Sequence, residues 1–213
     1  MKQLKPVAII LCAVLLVAAS VLGTLAYLTS VAEVKNTFTV GKVNITLDET
    51  KVDEMGAPTG EGRKPEGNQY HLIPGRTYTK DPRVTVKGDS EESYVRMLVT
   101  VNNYADLCDI FSTPFLPQYF VTGWDSAKWV TTGVIAEDAQ NDTATYEFRY
   151  FQKVAGSDQD VALEPLFESF TIPGTVTGEQ LEKIADLEIS VEGHAIQALG
   201  FADEATAWAA FTK

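Results

Sequence analysis

Two histidines, His71 and His194, are the only imidazoles in the chain. A zinc-protease helix needs two histidines at i and i+4 with a glutamate between them, and no such spacing exists here. His194 follows Glu188, Ser190 and Glu192, the polar positions of an alternating run, so a solvated imidazole is expected. A serine nucleophile would sit in a G-x-S-x-G elbow, which is absent. Gly60-Glu61-Gly62-Arg63-Lys64 resembles a phosphate-binding loop in composition only, because the P-loop spacing and the Ser or Thr after lysine are missing. Paired carboxylates serve glycosidases, but with 29 acidic residues the chance of some close pair is high, so such a pair carries almost no information. Glu137-Asp138 with Asn141-Asp142, and Asp158 with Asp160, offer oxygen ligands of the kind calcium takes. They lack EF-hand spacing, and solvated loop acids are the expected reading. No catalytic residue, metal site or cofactor follows from these residues, and no enzyme is expected.

The overall balance narrows the classes further. The 213 residues carry 17 Lys+Arg against 29 Asp+Glu, a formal charge of −12. That charge argues against nucleic acid as a partner, since such binding draws on cations that displace counterions from phosphate. With 45% apolar and 22% charged residues the chain is globular and long enough for a sizeable core.

The first residues set the compartment. Lys2 and Lys5 precede an apolar stretch over residues 7–28, broken by Ser20, Gly23 and Thr24, with no further charge before Glu33. This is the positive start and apolar centre of a secretory signal, with cleavage expected between Ala26 and Tyr27 after the small-residue pattern Thr24-Leu25-Ala26. An uncleaved anchor is the alternative, because 22 residues at about 1.5 Å each reach across a bilayer. Residues 1–26 are thus read as a signal peptide and residues 27–213 as one domain, secreted or displayed at the cell surface. The membrane enters only through an uncleaved signal segment. Cleavage removes Cys12 and leaves Cys108, so the exported domain has no internal disulfide. Cys108 falls in a Tyr104, Leu107, Cys108, Phe111 helical pattern and reads as a small packing residue.

The elements that follow have period two. Val43, Ile45 and Leu47 alternate with polar residues, as do Val95, Met97, Val99 and Val101, then Tyr146, Phe148 and Tyr150, then Leu187, Ile189 and Val191. Each reads as a strand with one buried and one wet face, so Arg96, Glu147 and Arg149 are expected in water. Weaker strands are read at 77–86, 118–122, 128–135 and 166–173. About eight strands separated by Gly, Pro, Asp and Asn clusters predict an all-β antiparallel sandwich with short peripheral helices. One short helix is expected at 179–184. Another is expected at 204–211, capped by Asp203 accepting the Thr206 N–H, with Trp208 and Phe211 on one face as a lid or plug on the core. Residues 55–68 carry Gly56, Pro58, Gly60, Gly62, Pro65 and Gly67 without a period and read as a disordered surface loop.

Two blocks carry a family resemblance. Gly23-Thr24-Leu25-Ala26-Tyr27-Leu28-Thr29 followed by Asn36-Thr37-Phe38-Thr39-Val40-Gly41-Lys42-Val43-Asn44-Ile45 resembles the start of the TasA/camelysin family. Leu72-Ile73-Pro74-Gly75 followed by Thr79-Lys80-Asp81 is similar to the family's turn into its second core strand. The two blocks cover about a quarter of the chain. The resemblance implies a jelly-roll-like sandwich of Gram-positive origin, exported through a dedicated signal peptidase. It implies a structural subunit of extracellular biofilm-matrix fibres, a homopolymer with an accessory matrix subunit as a further partner. Family fibres are joined when the mature N-terminus of one subunit completes a sheet of the next. Here the donor would lie in residues 27–38, with Leu28, Val31, Val34 and Phe38 as assembly contacts. Residues 27–36 are equally read as a flexible tail or as the first strand of their own sandwich. Some family members are labelled metallopeptidases, but no zinc motif carries that label over. The rival class is a surface-displayed adhesin or ligand-binding module using Tyr70 and the 55–68 loop, or Trp124 and Trp129.

Overall fold

The computed structural model describes residues 12–15, 41–113 and 117–212. The chain divides into two compact units, Met1–Val40 and Gly41–Lys213. In the first, residues 12–15 are helical. Ala26, Tyr27, Leu28, Val31, Val34 and Phe38 lie outside the described residues. No helix among the described residues is long and apolar enough to cross a membrane.

The second unit is all-β and sandwich-like, as expected, and built from three antiparallel sheets. Strands β1 (Ile45–Val52), β2 (Pro58–Lys64), β4 (Arg83–Val86) and β9 (Val161–Ala162) form one sheet in the order β2-β1-β4-β9. Strands β3 (Thr77–Thr79), β10 (Ser169–Thr171) and β6 (Val121–Thr122) form a second, in the order β3-β10-β6. The third joins β11 (Ile189–Gln197), β5 (Ser93–Val101), β8 (Thr143–Tyr150) and β7 (Trp129–Asp138) in that order. Among its described residues the unit has four helices: α1 (Tyr104–Phe111), α2 (Pro117–Phe120), α3 (Gly178–Lys183) and α4 (Glu204–Ala210). The strands number eleven among the described residues rather than eight. Thr77–Val86 divides because Pro82, which has no N–H, interrupts the run. Residues 118–122 are mostly helical, and 166–173 keep only three residues in the ladder.

The inward faces of all three sheets meet in one core. Val84 and Val86, Tyr78 and Phe170, and Val95, Met97, Val99, Tyr146 and Phe148 belong to it together. Trp129 is fully buried, and its indole donates to the Glu164 carbonyl at 3.0 Å. Tyr78 stacks on Phe170, with Tyr70 edge-on to both. These period-two runs form strands for the reason their pattern suggests: one set of side chains leaves water on pairing.

Three readings need correction. First, residues 55–68 are ordered: β2 pairs with β1, with Thr50 opposite Arg63. The turn closes because Asp53 accepts the Met55 and Ala57 amides, and Gly56 takes φ 76°, a region that glycine enters freely. A Cβ there would sit 2.7 Å from the Tyr78 backbone. Arg63 then fastens β2 from the side, which composition alone does not reveal. Second, the outer face of the β11-β5-β8-β7 sheet is not uniformly wet. His194, Arg96, Arg149 and Val130 stand in register across its four strands. Glu147, only 3% exposed, accepts from Arg96 at 2.8 Å, Arg149 at 2.9 Å and Thr132 at 2.9 Å. Third, His194 is buried rather than solvated. Its Nδ1 accepts from the Arg96 Nε at 3.2 Å, and its ring stacks on Phe211 at 4.8 Å.

The roof of this face is α4. Asp203 caps it by accepting the Thr206 N–H at 2.8 Å, as the sequence predicts. Its Trp208 lies 4.3 Å beneath the Arg96 guanidinium. The helix covers the outside of the third sheet, with Tyr94, Ala198 and Ala207, and does not plug the main core. Aromatic rings over a guanidinium gain cation–π attraction while removing water from it.

Burial works against ionisation of Glu147, but the hydrogen bonds from Arg149, Arg96 and Thr132 outweigh it and hold its carboxyl below the usual glutamate range. A depressed carboxyl stabilises the fold fully above the unfolded value, about 4.3, and the contribution is lost as pH falls through the folded value. Glu147→Gln should lower stability at pH 7 by about 3 kcal/mol, since both arginines keep some contact with water. It should also flatten the acid limb of stability against pH. Urea midpoints measured from pH 7 down to pH 3 check both expectations.

Candidate functional site

A cleft of about 790 Å³ lies in the second unit between β1, the 65–72 segment and the start of β11. Leu47, Leu72, Phe170, Ile189 and Val191 supply its apolar lining, and Glu49, Asn68, Lys80 and Glu188 its polar groups. Two structural features make it.

The first is the unpaired side of β11. Ala198 donates to the Glu92 carbonyl and Asn102 to the Glu188 carbonyl, so the even-numbered residues of this strand address β5. The odd residues Ile189, Val191, Gly193 and Ala195 then direct their backbone N–H and C=O away from β5. No strand among the described residues pairs with that side. The strand runs nine residues in unbroken register without a bulge or proline. Its start is anchored: Glu188 donates to the Asn102 side chain at 2.7 Å, which in turn donates to the Asp186 carbonyl at 2.9 Å. At Gly193 the two layers close up, since a Cβ there would stand 3.1 Å from Val84 Cγ2. Below that point the layers part to form the cleft.

The opposite edge of the same sheet differs. Strand β7 breaks register between Thr131 and Gly133 and again between Val134 and Ala136. Such bulges twist an edge away from pairing. Of the two edges, β11 is the one left ready for another strand.

The second feature is the polar wall. Arg63 contacts Asp48 and Asp81 through its guanidinium, donates to Thr50 Oγ1 at 3.1 Å, and reaches the Asp48 and Asp81 carbonyls at 3.0 and 2.7 Å. Desolvation works against its charge, yet the hydrogen bonds to Asp48 and Asp81 raise the guanidinium above its ordinary range. Beside it, Glu49 and Lys80 form a buried pair at 2.8 Å, each side chain 7% exposed. The other oxygen of Glu49 accepts both the backbone and the side-chain amide of Asn68 at 2.8 Å. Burial and the Glu49 carboxylate push the Tyr70 phenol well above its ordinary range, and its hydroxyl donates to the Thr79 carbonyl at 2.9 Å.

Several sequence candidates fall elsewhere. Trp129 is fully buried, and Trp124 is half-buried, its indole donating to the Trp129 carbonyl at 2.8 Å and its ring edge-on to Phe148. Gly60-Glu61-Gly62-Arg63-Lys64 is the body of β2, not a phosphate cradle. Asp138 closes the β7–β8 turn by accepting the Gln140 and Asn141 amides. Burial pushes the Cys108 thiol up against the opposing Tyr104 hydrogen bond, which suits a packing residue on α1. No group of three or more potential metal ligands occurs among the described residues. Glu49 and Asn68 were not singled out in sequence. Glu49 had a signal, since it continues the inward phase of Ile45 and Leu47.

Comparison with protein-family models, with curated proteins and with solved structures finds no match to this chain.

The Arg63 network joins β1, β2 and the link between β3 and β4, so it holds the cleft wall. Arg63→Ala should cost about 2 kcal/mol, the scale of a charged hydrogen bond. It should also speed amide hydrogen exchange in residues 58–68 more than in β5. Exchange mass spectrometry with a urea titration measures both.

Proposed function

We propose that this chain is a secreted structural subunit of extracellular matrix fibres that assembles head to tail by strand donation. Residues 27–38 of one copy, freed by signal peptidase cleavage after Ala26, add to β11 of the next. The observation that carries this reading is the open, unbulged edge of β11 beside an apolar-lined cleft. Its outward backbone groups offer hydrogen bonds to an incoming strand, and Leu47, Leu72, Phe170, Ile189 and Val191 offer contacts for alternate side chains such as Leu28, Val31, Val34 and Phe38. The donor and acceptor surfaces differ, so the contact is heterologous and grows a filament unless rotation closes it. The resemblance of the N-terminal block to the TasA/camelysin family points the same way and suggests a biofilm matrix as the setting.

The alternative is a ligand-binding surface module. It retains the polar wall of the same cleft as support, but it loses Trp129, which is fully buried, while Trp124 is half-buried and bonded to it.

Protein beginning at Tyr27 should form long filaments in sedimentation and electron microscopy. Removing residues 27–36 should abolish them and leave circular dichroism unchanged. Val191→Pro should also stop growth, because the lost N–H faces the open edge and β5 keeps its partners. Growth of Val191→Pro fibres at the original rate would exclude β11 as acceptor. A starting chain that stays monomeric at all concentrations would exclude self-assembly and favour the ligand-binding reading.

A further inference from the structure

We infer that Lys80 and Asn68 form an intramolecular isopeptide cross-link, with Glu49 as its proton carrier. One carboxylate holds both reactants: Glu49 Oε2 accepts from the Lys80 ammonium at 2.8 Å, and Glu49 Oε1 accepts from Asn68 Nδ2 at 2.8 Å. Lys80 is 5% exposed and Glu49 6%, so neither group has bulk water as a partner. The third requirement is a donor on the reacting carbonyl, and the Val52 N–H supplies it to Asn68 Oδ1 at 3.1 Å. Nucleophile, acid–base group and carbonyl-polarising donor are the parts an acyl transfer uses. An ordinary buried ion pair needs only Lys80 and Glu49. The Asn68 amide is also fixed against β1, since Nδ2 donates to the Thr50 carbonyl at 2.9 Å while Oδ1 accepts the Val52 N–H, and this holds its Cγ beside the Lys80–Glu49 pair.

The chemistry balances without a co-reactant. The proton on Lys80 Nζ passes to Glu49 along their hydrogen bond, giving a neutral amine and a neutral acid. The Nζ lone pair attacks Asn68 Cγ, and charge developing on Oδ1 is met by the Val52 N–H. Glu49 delivers its proton to Nδ2 and takes one from Nζ as the Cγ–Nδ2 bond breaks. The products are a secondary amide and ammonia. Ammonia takes the proton from Glu49, which returns to its carboxylate form, and leaves as ammonium. Asn68 and Lys80 both line the open cleft, which gives the departing group a path to solvent. Fixed neighbours replace the encounter that would otherwise limit the attack.

The bond would tie the segment after β2 to the link between β3 and β4, closing the stretch that contains β3. That stretch forms the cleft wall. A domain left with Cys108 as its single cysteine has no disulfide to serve the purpose. The cross-link lies within one chain and does not depend on filament growth, so it stands or falls separately from strand donation.

Mass spectrometry of the purified full-length chain tests it. The intact mass should be lower than the sequence mass by one ammonia. Digestion should yield a branched peptide joining Lys80 to Asn68, and Lys80 should resist an amine reagent after denaturation. Glu49→Gln should slow the reaction by about 10²–10⁴-fold, the range of acid–base assistance, and recover both peptides as linear species. Lys80→Arg should show its full sequence mass. If Glu49→Gln does not fold, the wild-type peptide map decides alone. Folded wild-type protein with linear Lys80 and Asn68 peptides would overturn the inference. So would an ammonia loss that maps to another asparagine or glutamine.

Discussion

Strand β5 pairs with β11 along its whole length and with β8 over six residues, from Arg96 to Val101. The rest of the second unit depends on that double ladder. A central strand satisfies its own backbone on both sides, and it projects Val95, Met97, Val99 and Val101 inward as the floor of the core. It also moves the problem of unpaired backbone outward, to β7 on one side and β11 on the other. The two edges are treated differently. Strand β7 carries two bulges, while β11 stays straight, unbulged and next to a gap between the layers. An edge left in that condition is a hazard in an isolated protein and a connector in an assembling one.

Among the described residues charge is gathered in three buried or half-buried clusters, each with partners that fix geometry. Glu147 gathers Arg96, Arg149 and Thr132 on the outer face of the third sheet, and α4 sets Trp208 against Arg96. Arg63 gathers Asp48, Thr50 and Asp81 where β2 meets the β3–β4 link. Glu49 gathers Lys80 and Asn68 in the cleft wall. Burying an ion pair adds little net stability compared with an apolar substitute, but breaking one leaves a charge without water. These clusters therefore act chiefly on register. The Glu147 cluster fixes where the C-terminal helix lands, and the other two hold the β1–β2 hairpin and the segment after it to the sandwich. Their placement also relates the proposed roles. The wall that the Glu49 cluster stiffens is the wall that faces the open edge of β11.

The period-two runs at Ile45, Val95, Tyr146 and Ile189 were legible as strands because each alternates over several residues with one apolar phase. The Tyr104–Phe111 helix and the Asp203 cap were legible for the same local reason: spacing and cap chemistry are properties of neighbours in sequence. Hydrophobic pattern and local caps thus sufficed for the fold class and for most elements. The β2 strand was not legible, since its apolar content is low and its order comes from pairing with β1 and from Arg63, contacts made across a turn and a sheet. His194 and Glu147 read as wet because alternation reports which phase faces the core, not what covers the opposite phase. The cover comes from Arg96, Arg149 and Thr132 over Glu147 and from Phe211, just after α4, over His194.

By itself, the sequence determined an all-β domain behind an apolar N-terminal stretch, an acidic surface and the absence of the familiar catalytic and metal motifs. These follow from composition and short-range spacing. Tertiary structure alone decided which edge lies open, because edge status depends on strand order and β11 joins the sheet through β5 rather than through its sequence neighbours. It alone brought Glu49, Asn68 and Lys80 onto one carboxylate, since they come from a strand and two connecting segments that meet only after β1 has paired with both β2 and β4.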